Sequence, residues 1–193
     1  MNDKQQINIS IVTMFFDIGR GNWLSNNGEF QRSNDKYFGY FSHLAKLEND
    51  ITVFTTDEFS EHILTLRQGK PTNIVTINLD DFQSWTDKIV KIQQNPNFLA
   101  NIPLHIQQNP EYASPLYTLI TNLKTHFVNQ AIQKNLVQHE QVAWVDFGYC
   151  RDETTLQGIQ HWQYNFDPNY VHLFTIRPHK LLGIFPHPRL CEV

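Results

Sequence analysis

Short β-rich apolar stretches alternate with segments of helical period along most of this chain, and that alternation restricts its fold. Ile7 to Phe16, Ile51 to Thr55 and Asn73 to Leu79 are rich in β-branched and aromatic residues and read as strands. Between the first two, Phe38, Phe41, Leu44 and Ala45 recur at helical spacing, with Ser33, Asn34 or Asp35 as cap and Asn49 as the end. Asp57 to Gln68 reads as a second helix stopped by Gly69 and Pro71. Asp81 to Gln94 reads as a third, carrying Phe82, Trp85, Ile89 and Ile92 on one face. Strands separated by helices imply right-handed crossovers and a mainly parallel sheet.

Asn95–Ser114, rich in Asn, Gln and Pro, interrupts the pattern and reads as a long loop or irregular insertion. Pro115 then sits at a first helical position with Ser114 before it, and a stripe of Leu116, Leu119, Ile120, Leu123, Phe127 and Ala131 follows. Val142 to Val145 reads as a strand buried on both faces, ending at Asp146-Phe147-Gly148. Val171 to Ile176 reads as a further strand ended by Arg177-Pro178. At 193 residues the chain suits a single domain with a substantial core.

Composition excludes several classes of function. Fifteen Lys and Arg against nineteen Asp and Glu are scattered, so a nucleic-acid partner is not expected. Cys150 and Cys191 form neither a zinc spacing nor a disulfide framework, which fits a reducing compartment. The N-terminus lacks a secretion signal, and no apolar run approaches the ~20 residues of a membrane span. The expectation is cytoplasmic, with peripheral membrane contact left open. Nine histidines fall without metal-ligand spacing, and no H-E-x-x-H, P-loop, G-x-S-x-G or C-x-x-C occurs. Asp-Phe-Gly suggests a kinase, but the V-A-I-K lysine, the H-R-D loop and the glycine-rich lid are all missing.

Two strand ends carry the chemistry that survives. After the first strand, Gly19-Arg20-Gly21 offers a close backbone approach and a guanidinium fork suited to phosphate, although an ordinary turn reads the same way. After the later strand, Asp146 stands where open α/β sheets bind ligands, although Asp also caps turns. One strand step of ~3.3 Å matches about two helix steps of ~1.5 Å. A helix running back along Val142–Asp146 therefore brings Lys124 near Asp146, with Tyr117 two turns earlier on the same edge. Taken alone, Lys124 reads rather as a snorkelling lysine at the core margin. A diphosphate between the two strand ends would meet Arg20 and Lys124, with Asp146 holding a divalent cation.

FFDIGRGNW near the start, the pair Arg32 and Tyr37, SPLY followed by Lys124, and WVDFGY together resemble the HtrL/YibB family from about Ile9 to Arg151. The resemblance implies an α/β, GT-A-like (nucleotide-diphospho-sugar transferase) fold: an open, mainly parallel sheet flanked by helices. It implies a nucleotide-binding core over 7–151 and a partial acceptor-side extension over 152–193. The implied activity is hexosyl transfer from a nucleotide-diphosphate sugar to a glycan or lipid-linked acceptor in bacterial lipopolysaccharide or capsule assembly. By position it places Thr13, Asp17 and Arg20 at the nucleotide, Arg32, Tyr37 and Lys124 around the donor, and Asp146 on a divalent cation, Mn2+ or Mg2+. Two departures stand out. Gly148 replaces the second acid of an Asp-x-Asp motif, and the chain ends at Val193, where longer members are expected to continue. A non-catalytic nucleotide-sugar-binding remnant of the same fold is the alternative reading.

Overall fold

The run from Ile9 is hydrogen-bonded to a strand on either side, and its seven residues are all buried. In the computed structural model, which describes residues 8–23, 30–167 and 169–172, this run is β1 (Ile9–Phe15). With β2 (Ile51–Thr55), β3 (Thr72–Thr76) and β4 (Gln141–Trp144) it forms a parallel sheet in the order β3-β2-β1-β4. Ile11 pairs with Ile51 on one side and Ala143 on the other. The expected mainly parallel α/β sheet flanked by helices is therefore present.

Alternation along β1 divides the core in two. Ile11 and Phe15 face α1 (Asn34–Leu44) and α2 (Asp57–Arg67), packing with Phe38, Phe41, Leu44 and Ile63. Val12, Met14 and Phe16 face the other layer. That layer holds α3 (Gln83–Gln93), the single turns α4 (Pro96–Leu99) and α5 (Pro110–Ala113), α6 (Pro115–Asn122) and α7 (Lys124–Gln133). The first two crossovers thus lie on one face, and the connection from β3 to β4 lies on the opposite face. The strand order reverses between β1 and β4. In open α/β sheets the crevice at the carboxyl ends of the strands, at such a reversal, is where ligands bind.

Several expectations are corrected. β4 is not a central strand buried on both faces: among the described residues it pairs with β1 alone, and all four of its residues are half-buried. The stripe from Leu116 to Ala131 is continuous, but its helix is divided at Leu123 into α6 and α7. The stretch Asn95–Ser114 contains short helical turns rather than one open loop. Asn95 accepts from the N–H of Asn97, and Pro96 and Pro110 occupy first helical positions. Ser33 does cap α1, accepting from Lys36 N–H, but the helix ends at Leu44. Asn49 is buried beyond it and donates to the carbonyls of Ile9 and Trp162.

Those last contacts locate the start of the segment after Arg151. Trp162 N–H donates back to Asn49, Glu48 N–H donates to Gln160, and Asn8 bridges Gln163. Residues 160–163 therefore lie at the amino ends of the strands, away from the Arg20 and Asp146 loops. The expected strand Val171–Ile176 falls outside the described residues beyond His172. Among the described residues no helix is long and apolar enough to cross a membrane.

Cys150 is fully buried in the α1-side core, and burial pushes its thiol up to about 11. A protonated, enclosed thiol is a poor nucleophile. Iodoacetamide at pH 8 is expected to label Cys150 only after denaturation, read by peptide mass spectrometry. Rapid labelling of the native chain would mean that this loop opens.

Candidate functional site

The turn after β1 is set by Asp17. Its Oδ1 accepts from Gly19 N–H at 2.8 Å and its Oδ2 from Asn34 Nδ2 at 2.8 Å, tying the turn to the first residue of α1. Gly19 has φ of 76°, a left-handed conformation that favours glycine, whereas Gly21 has only ordinary contacts around it. The chain then folds back on itself, with Arg32 N–H donating to the Arg20 carbonyl at 3.1 Å.

The Arg20 guanidinium is enclosed by rings rather than by acids. It lies 5.1 Å from the Trp23 ring centroid, 5.7 Å from Tyr37 and 5.6 Å from Tyr117. Nη1 donates to the Tyr37 hydroxyl, and Nε and Nη2 donate to the Phe30 carbonyl. Burial lowers its pKa below the ordinary arginine value, and nearby Arg32 and Arg151 add to that. Arg151 stacks 4.5 Å over Tyr40, which in turn meets Tyr37 edge to face. Among the described residues no carboxylate lies within ion-pair distance of Arg20, Arg32 or Arg151.

The second half of the site comes from β4. Past its end, Asp146 is exposed while Phe147 and Gly148 are buried. The Phe147 ring stacks on Phe41 at 4.1 Å and on Phe15 at 4.8 Å, anchoring the loop in the core beneath α1. Gly148 passes so close to Tyr37 that an added Cβ would lie 3.0 Å from a ring carbon. Asp146 Oδ1 accepts from Trp144 Nε1 at 2.8 Å and from Lys124 Nζ at 2.6 Å. Lys124 thus crosses from the start of α7 to the end of β4, as the helix–strand spacing implies. Because β1 and β4 are adjacent and parallel, Arg20 and Asp146 emerge at the same end of the sheet.

The expected residues divide accordingly. Arg20, Tyr37, Lys124 and Asp146 gather around the β1 and β4 ends, joined by Tyr37 packing on Gly148, and Arg32 adds positive charge beside Arg20. Asp17 shapes the turn. Thr13 is fully buried in mid-strand, its hydroxyl without a hydrogen-bond partner among the described residues, with Phe15 between it and the strand end on the same face. Trp23, Tyr40, Trp144 and Arg151 were not anticipated. Arg151 follows the Asp-Phe-Gly stretch by three residues, but nothing in the sequence signals its contact with Tyr40.

These residues form no prebuilt divalent-cation site. Mg2+ is usually held by one or two carboxylates beside substrate phosphates and water, and the one carboxylate here has an oxygen engaged by an ammonium. No group of three or more His, Cys, Asp or Glu suited to a metal occurs among the described residues.

Comparison with known proteins places the chain. Residues 7–182 match the family model described as "Bacterial protein of unknown function (HtrL_YibB)". The chain is 42% identical over 172 residues to "Protein HtrL" of Escherichia coli (strain K12), covering 87% of this chain and 60% of that protein. The chain therefore spans less than two thirds of that relative's length. No solved structure gives a significant match.

Proposed function

The chain belongs to the HtrL/YibB family, and on that footing we propose that the surface at its β1 and β4 ends binds a nucleotide-diphosphate sugar for glycosyl transfer to a bacterial surface glycan. One observation carries the reading. Arg20 and the Lys124–Asp146 pair flank the reversal of strand order, on adjacent strand ends, with three arginines free of carboxylate partners among the described residues. Guanidinium groups bind phosphate oxygens in forked, charge-assisted pairs. The aromatic rings of Trp23, Tyr37 and Tyr117 offer apolar faces beside them.

In the transfer, the bond from the anomeric carbon to the β-phosphate oxygen breaks and that oxygen takes the electron pair. The acceptor hydroxyl oxygen forms the new bond and releases its proton to water. Negative charge therefore grows on the departing diphosphate, where Arg20 and Lys124 stabilise it more in the transition state than in the ground state. Asp146 Oδ2 makes no hydrogen bond among the described residues and is available to a sugar or ribose hydroxyl.

A thermal-shift screen of UDP-, GDP-, CDP- and dTDP-sugars, followed by assays of donor hydrolysis and transfer, tests the reading. A true donor at about one hundred times its Kd adds about 2.7 kcal/mol of stability. At about 2–4 °C per kcal/mol, that raises the melting temperature by several degrees. Asp146→Asn is expected to slow turnover while leaving the fold intact. No shift with any of these compounds would sink the proposal. Binding without hydrolysis or transfer would instead support a non-catalytic sugar-nucleotide module, a reading favoured by Asp146 already being held by Lys124.

A further inference from the structure

We infer that the strand-end site holds a diphosphate with side-chain cations alone, the Lys124 ammonium standing on Asp146 where a divalent metal would otherwise stand. The inference rests on the reading of those strand ends as a diphosphate site, and four features of the chain support it.

One oxygen of Asp146 is committed. Lys124 at 2.6 Å and the Trp144 indole at 2.8 Å both address Oδ1, so a cation approaching that oxygen must displace an existing positive charge. A cation on the free Oδ2 would still sit beside that ammonium, and neighbouring like charges repel.

A second acid is built out. Gly148 stands where an Asp-x-Asp motif would place its other carboxylate. A Cβ there would lie 3.0 and 3.1 Å from two Tyr37 ring carbons and 3.4 Å from Tyr40. Tyr37 cannot readily retreat, because its hydroxyl accepts from Arg20 and its ring packs against Phe15. The chain therefore accommodates either the Arg20–Tyr37 contact or an acid at position 148. It has the former.

Asp17, which follows β1, is also occupied, with one oxygen on Gly19 N–H and the other on the Asn34 amide. Finally, positive charge is already in place. A sugar-linked diphosphate carries two negative charges, and Arg20, Arg32 and Arg151 have no carboxylate partner among the described residues. Two further N–H groups of Lys124 remain for phosphate oxygens once one is bound to Asp146.

The test compares the full chain in EDTA and in excess Mn2+. Calorimetry with UDP, GDP, CDP, dTDP and inorganic pyrophosphate reads affinity, and electron paramagnetic resonance reads Mn2+ binding to the protein alone. Affinity for the best-bound diphosphate is expected to agree within about threefold between the two buffers. Lys124→Gln is expected to weaken it about tenfold in EDTA, with no rescue by Mn2+. Gly148→Asp, which completes Asp-x-Asp, is expected to lose diphosphate affinity without acquiring Mn2+. Tightening by Mn2+ of about tenfold or more, or Mn2+ binding to the chain alone that Asp146→Asn abolishes, overturns the inference and leaves the diphosphate reading standing. Absence of binding by every probe in both buffers removes the diphosphate reading, and the inference with it. The wild-type comparison between buffers needs no variant to fold.

Discussion

Replacing Arg67 with alanine is expected to destabilise the chain by about 4 kcal/mol or prevent folding, without any direct effect at the strand-end site. Arg67 lies in the last turn of α2 and is 0% exposed. Its five donated hydrogen bonds leave no part of the fork idle. Nε donates to Thr72 Oγ1 at 2.8 Å, and Nη1 donates to the carbonyls of Ala45 at 3.0 Å and Leu47 at 2.6 Å. Nη2 donates to the carbonyls of Asn49 at 2.8 Å and Pro71 at 3.0 Å. The side chain thereby joins the loop before β2 to the loop before β3. Burial lowers its pKa to about 10, with Glu48 and Asp50 partly opposing that, so it stays charged at neutral pH.

Truncation strands the buried carbonyls of Ala45, Leu47 and Asn49, while Pro71 keeps the Ile51 N–H. Each stranded group costs about 1–3 kcal/mol unless water reaches it, and a cavity opens as well. Urea unfolding followed by circular dichroism measures the loss. At about 2–4 °C per kcal/mol, a loss of that size lowers the melting temperature by roughly 8–16 °C. Arg67→Lys has three donors in place of five and is expected to recover about half of the lost stability. A variant within about 1 kcal/mol of wild type would show that these loops hold together without it.

The position of Arg67 explains why sequence reasoning passed over it. A basic residue in the last turn of a helix ordinarily reads as an exposed partner of the helix dipole. Only the return of two loops around it reveals the other role. The strands β1 and β2 were legible because β-branched runs flanked by polar residues have few alternatives. That β4 pairs with β1 alone among the described residues was not legible, since Val142–Val145 is as apolar as a central strand and pairing order leaves no local mark. Lys124 was found because strand and helix rises are fixed, so a spacing along the chain becomes a distance. Gly148 was visible as a missing acid, but its reason, the ring of Tyr37 lying against it, belongs to packing between α1 and the β4 loop. The turns at Pro96 and Pro110 did have a local signal, Asn followed by Pro at a helix start, which the overall polarity of Asn95–Ser114 obscured.

Arg20 is the counterpart of Arg67, and its substitution is expected to give the opposite pattern: diphosphate affinity falls about 30–100-fold while the fold is nearly unaffected. Where Arg67 is surrounded by carbonyls, Arg20 reaches a single carbonyl oxygen and a phenol and is otherwise faced by three rings and two further arginines. Burial lowers its pKa, so near neutral pH its charge slightly opposes folding, and that opposition eases only as pH rises through its folded pKa. A bound anion reverses the sign by stabilising the charged form. Arg20→Ala therefore removes a strong partner for the ligand and a charge the free protein accommodates poorly. Arg20→Lys keeps the charge but loses the fork, and is expected to recover less than about tenfold of the lost affinity. Calorimetry with the best-bound nucleoside diphosphate, paired with melting temperatures, separates the two roles. Affinity within about threefold of wild type would remove Arg20 from the diphosphate site. A collapse of the melting temperature would instead make it a structural arginine of the Arg67 kind, and the positive charge at the reversal of strand order would need another explanation.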